Sequence, residues 1–127
     1  MRFLLDTHVL IWALDGSKKL PAKARDLLLD GTHEHYVSTA SVWELAIKVA
    51  QGKLLLGRDL DELESGIETA GFKLLPVHIR HAIAVASLPN HHRDPFDRLL
   101  IAQCRVETLR LLTADTQLSS YEGIFLV

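Results

Sequence analysis

Four acidic side chains occupy positions from which a folded chain can bring them together, although they lie far apart in the sequence. Asp6 directly follows a short apolar run, and Asp115 follows another, Leu111–Ala114. Glu44 and Asp97 lie within segments that have helical patterning. Carboxylate oxygens are hard ligands that suit Mg²⁺ or Mn²⁺. An ion held in this way polarises a phosphoryl oxygen, lowers the pKa of a bound water and stabilises a leaving oxygen.

A shared pocket for these acids carries an electrostatic cost. Two carboxylates about 4 Å apart repel by about 1 kcal/mol in water and roughly 4 kcal/mol at an effective dielectric constant of 20. Four acids in one pocket therefore require bound cations or shifted pKa values.

Local structure offers a simpler explanation for three of the acids. Asp6 is a suitable N-cap for a helix that begins at Thr7, and Asp115 suits a turn or a cap. Glu44 completes a Ser-x-x-Glu capping box with Ser41, or pairs with Lys48 one helical turn later. These explanations remain open beside the metal-site interpretation.

Two acids compete for one role at the start of a later helix. Asp94 precedes Pro95 and has the features of an N-cap. Asp97 shares a helix face with the apolar residues at positions 100, 101 and 104, so it projects toward the core. An unpaired buried carboxylate is costly, and a nearby cation would relieve that cost. Asp97 is therefore the preferred site residue.

The elements that must position these acids alternate along the chain. Short apolar strands that alternate with helices predict an α/β fold with a parallel sheet covered on both faces. In such sheets ligands bind beyond the carboxyl ends of the strands, at a switch in strand order. Strands are predicted at 2–5, 35–38, 72–75, 109–113 and 124–127, and helices at 7–14, 21–30, 41–51, 59–70, 77–87 and 94–106.

The length, net charge and cysteine count of the chain exclude several classes of protein. The chain has 127 residues, a formal net charge of −2 and one cysteine, Cys104. This length predicts one domain, 1–127. The charge excludes a protein that binds nucleic acid through a large overall positive charge. A single cysteine excludes a disulfide framework and a four-cysteine zinc site. We expect a cytoplasmic protein without a signal peptide or a membrane span.

Four stretches, taken in order, resemble the PIN-domain nucleases, specifically the VapC toxins of bacterial and archaeal toxin–antitoxin pairs. These stretches are Phe3–His8, Val37–Ala46, His91–Gln103 and Leu112–Asp115. The order and spacing of the four motifs, rather than any single motif, carry the resemblance, which spans essentially the whole chain.

The resemblance implies a three-layer α/β/α sandwich around a parallel sheet of four to five strands. It also implies Mg²⁺- or Mn²⁺-dependent endoribonuclease activity, a homodimer and a VapB-like antitoxin partner. The residues it assigns to metal binding and catalysis are Asp6, Glu44, Asp97 and Asp115. Asp94, Thr113 and Thr7 are expected to support them, and Lys48, Arg93 and Arg98 are expected to contact RNA phosphates.

Two other functions compete with the nuclease. A phospho-accepting receiver domain has a similar length and strand-end acids, but it requires a lysine near its last strand, and no lysine follows Lys73. A non-catalytic binding module of the same fold would have lost part of the acidic set. Trp12, Trp43 and Phe96 are expected in the core rather than as base-stacking platforms.

Overall fold

The computed structural model describes residues 1–127 and contains five strands and six α-helices. The strands are β1 (Arg2–Leu5), β2 (Glu34–Ser38), β3 (Lys73–Leu75), β4 (Arg110–Thr113) and β5 (Ile124–Leu126). The helices are α1 (Thr7–Asp15), α2 (Ala22–Leu29), α3 (Thr39–Ala50), α4 (Leu63–Thr69), α5 (Ile79–Ala84) and α6 (Pro95–Glu107).

All five strands are parallel and lie in the order β3-β2-β1-β4-β5. The chain builds β2 and β3 on one side of β1 and then crosses to add β4 and β5 on the other side. The switch in strand order therefore falls between β1 and β4, where Leu5 pairs with Leu112. In open parallel sheets this is the position at which a crevice forms.

The side chains of β1 and β4 alternate between two separate cores, as expected for a strand covered on both faces. Phe3, Leu5 and Leu112 join one apolar cluster, which also takes residues from α1, α2, α3 and α4. Leu4 and Leu111 join the other cluster, which α6 covers. The predicted three-layer α/β/α fold with a parallel sheet is confirmed.

Some predicted boundaries differ from those in the structure. The third helix begins at Thr39 rather than Ser41, because Ser38 caps it by accepting a hydrogen bond from the Ala40 amide. The predicted helix at 77–87 consists of α5 followed by a 3-10 turn, Val85–Ser87. The helix predicted at 59–70 likewise begins with a 3-10 turn, Leu60–Glu62, that precedes α4. None of the helices combines the length and the apolar character needed to cross a membrane.

Candidate active site

Asp6 and Asp115 lie at the carboxyl ends of β1 and β4, which are neighbouring strands. The Asp6 amide donates to the Leu112 carbonyl at 3.0 Å, so the ladder between the strands continues to Asp6. Together with His8 and Trp12, the two acids line one open hollow of about 270 Å³, which we call the acidic hollow. Of the four acids expected in one pocket, Asp6 and Asp115 line this hollow, whereas Glu44 and Asp97 do not.

The carboxylate of Asp6 is buried and is held by a strand residue rather than by the helix that follows. Asp6 occupies the N-cap position of α1, but its side chain makes no cap hydrogen bond. Instead, the Thr113 hydroxyl donates to Asp6 Oδ2 at 2.7 Å. The same hydroxyl oxygen accepts from the Asp115 amide at 3.0 Å. The interpretation of Asp6 as a side-chain cap is wrong, because β4 offers a donor across the switch point.

Burial raises the pKa of Asp6 above its ordinary value, and Glu44 adds a smaller repulsive contribution. The Thr113 hydroxyl opposes this shift by stabilising the ionised form. Burial disfavours the ionised form of this carboxylate, and a bound cation would stabilise that form. The environment of Asp6 therefore favours a positively charged ligand.

Glu44 reaches the site from α3 and is nearly fully buried, at 5% exposure. Its Oε1 accepts from the Thr7 hydroxyl at 2.9 Å, and its Oε2 accepts from Lys48 Nζ at 2.7 Å. The predicted capping box is wrong, because α3 begins before Ser41. The predicted pair with Lys48 is present, but it joins a buried carboxylate to a half-buried ammonium rather than two surface groups.

Asp97 is partly buried on α6, as its helix face predicts, and His92 Nε2 lies 2.8 Å from its Oδ2. Burial, with repulsion from Asp6 and Asp94, raises the pKa of Asp97 to about 6, and His92 opposes the shift. The influence of Asp6 places the two carboxylates within electrostatic reach of each other. His92 was not singled out from the sequence, where it lies within the stretch His91–Gln103.

Asp94 is the N-cap of α6, as its position before Pro95 predicts. Its Oδ1 accepts from the Phe96 amide at 2.9 Å and from the Asp97 amide at 3.2 Å. This carboxylate is therefore committed to the start of the helix. Asp115 also caps a short helical turn, by accepting from the Gln117 amide at 2.9 Å, while it lines the acidic hollow.

The three predicted phosphate-contacting residues have different environments. The hydrogen bond with Glu44 raises the pKa of Lys48, and Asp94 and Asp97 add to the effect, so its ammonium lies among the acids. Arg93 is exposed and makes no side-chain hydrogen bond or ion pair. The Arg98 guanidinium donates to the carbonyls of Val85, Pro89 and His92 and to the Tyr121 hydroxyl, so it fastens the loop that carries His92. The structure gives Arg98 a positioning role.

The donor set has the chemistry of a magnesium or manganese site. Every acid near Asp6 offers carboxylate oxygens, and no thiolate lies among them. No three His, Cys, Asp or Glu side chains are clustered tightly enough to hold one ion at once. Mg²⁺ is usually held by one or two carboxylates and keeps several waters, so Asp6, together with the charge of Asp97 that acts on it, has donors of the kind that such an ion requires.

Replacing Thr113 by valine is expected to slow any metal-dependent reaction at this site by about 10- to 100-fold, the usual cost of losing a group that orients a ligand. The valine keeps the shape of the side chain but removes the donor to Asp6 and the acceptor for the Asp115 amide. Thr116→Val, at an exposed position, is the matched control. Equal rates for the two variants would contradict the orienting role.

Comparisons with known proteins agree with this geometry. A model of the PIN domain family matches residues 3–124. No curated protein sequence matches the chain. The fold is similar to that of VapBC2 from Rickettsia felis bound to a DNA fragment from its promoter (TM-score 0.68, 15% identity, 100% of this chain and 98% of that one). It is also similar to FitAcB from Neisseria gonorrhoeae (TM-score 0.67, 22% identity, 98% and 96%) and to a toxin–antitoxin complex from Klebsiella pneumoniae (TM-score 0.65, 15% identity, 98% of each chain).

Proposed function

Because the chain belongs to the PIN domain family, we propose that it is a Mg²⁺- or Mn²⁺-dependent endoribonuclease that acts as the toxin of a toxin–antitoxin pair. The observation that supports the proposal most directly is that Asp6 and Asp115 follow β1 and β4 at the switch in strand order and line one hollow. Glu44 and Asp97 come from α3 and α6 and interact electrostatically with Asp6. Two of the similar structures belong to proteins described as VapBC2 and as a toxin–antitoxin complex, which supports the biological role.

The site residues have separable tasks in this proposal. Asp6 and Asp97 would hold the ion, and Glu44 and Asp115 would add negative charge around it. When bound, the ion supplies Lewis acidity toward a phosphoryl oxygen and acidifies a water. Thr113 orients Asp6 through a hydrogen bond of 2.7 Å. Lys48 compensates the charge of Glu44 at 2.7 Å, which limits the repulsion among the acids before the ion arrives.

His92 and Arg98 position Asp97 from the other side. His92 contacts Asp97 Oδ2, and Arg98 holds the backbone of the loop at the carbonyls of residues 89 and 92. The loop therefore fixes the direction in which Asp97 presents its second oxygen. Because the acids exclude free anions from the cleft, binding of an RNA phosphate there depends on the divalent ion.

The proposal includes two protein partners. A toxin of this kind is held inactive by an antitoxin, and the family resemblance implies a homodimer. Ile79 and Ile83 are 79% and 67% exposed on the same face of α5, one helical turn apart. Exposed apolar patches commonly mark protein contacts, which supports an interface between protein chains on α5. Molecular mass in solution, measured by light scattering, tests the dimer.

Incubation of the purified chain with structured and single-stranded RNAs tests the activity. We expect internal cleavage with Mn²⁺ or Mg²⁺ and none with EDTA. Titration calorimetry with Mn²⁺ separates the nuclease from a non-catalytic module of the same fold, because only the nuclease requires binding that depends on Asp6. Cleavage of equal rate in EDTA would overturn the proposal.

A further inference from the structure

A second hollow lies along α1 and shares two lining residues, His8 and Trp12, with the acidic hollow. We call it the lysine trough, and its volume is about 410 Å³, within the roughly 300–1,000 Å³ typical of ligand sites. The ionisable and aromatic side chains that line it are His8, Trp12, Asp15, Lys19, Lys48 and Lys53. Asp15 is the only acid among them, so the trough is positively charged although the whole chain carries −2.

His8 and Trp12 connect the two hollows, because both residues line the trough and the acidic hollow. They lie one turn apart on α1, and their ring centroids are 5.9 Å apart with the planes tilted by 43°. A ligand that occupies both hollows therefore contacts the two rings.

Trp12 is held in place and partly exposed at the same time. It packs against the apolar cluster that contains Phe3, Val9 and Leu10, while it also forms part of the wall of both hollows. The expectation that Trp12 is a core residue is therefore only half right. A fixed and partly exposed indole needs little reordering to stack with a flat ligand.

Two of the three lysines are free to bind an anion. Lys48 is committed to Glu44, but neither Lys19 nor Lys53 forms a salt bridge within the chain. Both are exposed. Their ammonium groups are therefore available to bind the phosphates of a ligand in the trough.

We propose that the lysine trough binds the single-stranded RNA that flanks the cleaved bond, with one base stacked on Trp12 and the adjoining phosphates bound by Lys19 and Lys53. The proposal rests on the proposed function, because it assumes that the acids cut this RNA. An aromatic ring beside a row of cations is the usual arrangement for single-stranded nucleic acid, since any base offers a face for stacking. An acidic peptide would use the lysines and leave the ring unused.

Binding without cleavage tests the trough separately from the chemistry. Fluorescence anisotropy in EDTA would measure the affinity for a labelled single-stranded RNA of about 12 nucleotides, within the usual range of site sizes. We expect Trp12→Leu to weaken binding by roughly 5- to 100-fold, the loss of one stacked base. We expect Lys19→Gln with Lys53→Gln to reduce the slope of log affinity against log salt by about 1.4, because each phosphate contact to a single strand contributes about 0.7.

The chain offers matched controls for both changes. Trp43→Leu removes the only other tryptophan, and it should bind RNA as the parent does. Trp43 lies on α3 against Phe96 and is 60% exposed, so the expectation that it is a core residue is wrong. In that variant Trp12 is the sole tryptophan, and added RNA should quench its fluorescence. Lys23→Gln with Lys73→Gln removes the same charge outside the trough and should leave the salt slope near that of the parent. Circular dichroism and melting temperature verify that each variant is folded.

Several results would overturn the proposal that the lysine trough binds RNA. One is that the Trp12 and lysine variants bind RNA as the parent does; if metal-dependent cleavage persists, the nuclease proposal survives that result. A second is unchanged Trp12 fluorescence on addition of RNA. A third is displacement of RNA by polyglutamate as readily as by unlabelled RNA, which would make the trough a site for acidic proteins. Conversely, if RNA binds and the Trp12 and lysine variants weaken binding as expected, the trough proposal stands even if the acids prove unable to cleave RNA.

Discussion

Replacing Asp6 by asparagine is expected to reduce metal-dependent RNA cleavage by at least about 100- to 1,000-fold, the range found when one preorganised electrostatic group is removed from an active site. Asp6 has the most central position among the acids. Its carboxylate is buried, is oriented by Thr113, and lies close enough to raise the pKa of Asp97. Asparagine keeps the shape and the hydrogen bond from Thr113 but removes the charge that a divalent ion requires.

The measurement is the initial rate of RNA cleavage at saturating Mn²⁺, with the affinity for Mn²⁺ from calorimetry. Asp26→Asn is the matched control, since Asp26 is an exposed residue of α2 without side-chain contacts. We expect the control to retain full activity, and both variants to melt cooperatively. If Asp6→Asn cut RNA as fast as the control, the assignment of the acids would be wrong.

Replacing Asp97 by asparagine is expected to stabilise the metal-free protein near pH 7.5 by about 1–2 kcal/mol. The pKa of Asp97 is about 6 in the folded chain against an ordinary value of 3.8, and each unit is about 1.36 kcal/mol. Ionised Asp97 therefore opposes folding by up to about 3 kcal/mol before solvent screening and the lost charge on the contact with His92 are allowed for.

The raised pKa of Asp97 makes the free energy of unfolding of the metal-free protein depend on pH, in a direction that can be stated. Between about pH 4 and pH 6, the folded chain holds a proton on Asp97 that the unfolded chain has released. The free energy of unfolding therefore falls as pH rises through this interval and stays lower above it. Denaturant unfolding at several pH values in EDTA measures the effect. Asp97→Asn should lose this part of the pH dependence while it gains stability at neutral pH.

Divalent ions should reverse the order of stability, so that the parent becomes more stable than Asp97→Asn. An ion bound at Asp97 stabilises only the folded parent, by an amount that grows with the logarithm of its concentration. Addition of Mn²⁺ at pH 7.5 should raise the melting temperature of the parent more than that of Asp97→Asn. Asp94→Asn is the control, because asparagine is as good an N-cap as aspartate and α6 should start unchanged. Equal responses of Asp94→Asn and Asp97→Asn to Mn²⁺ would contradict the choice of Asp97.

The arrangement of the fold follows from patterns that extend over a few residues. The alternation of short apolar strands with helices predicted the parallel sheet, and Asp94-Pro95 marked the start of α6, because capping and helix periodicity depend on neighbours within one or two turns. The pairing of β1 with β4 is not readable from these local patterns. Given that pairing, the positions of Asp6 and Asp115 immediately after their strands were enough to place them in one hollow.

The uses of the side chains at the site were decided by tertiary structure. Asp6 is a reasonable N-cap by sequence, but the Thr113 hydroxyl, 107 residues away, lies within hydrogen-bonding distance only after the strands pair. Glu44 looked equally suited to a capping box, and only the earlier start of α3 and the proximity of Thr7 made it a buried acceptor. Arg98 and His92 show the same limit, because their contacts join α6 to a loop without a regular pattern.

The physical reason is the range of the interactions. Backbone propensity, capping and amphipathic spacing act between residues a few positions apart, so one chain reports them directly. Burial, charge repulsion and hydrogen bonds across the switch point depend on distances that exist only when the sheet has formed. The amino-acid sequence by itself therefore determined the order of the elements and which acids end them. The folded arrangement decided which of those acids are buried and oriented, and that Trp12 faces a hollow between acids and lysines.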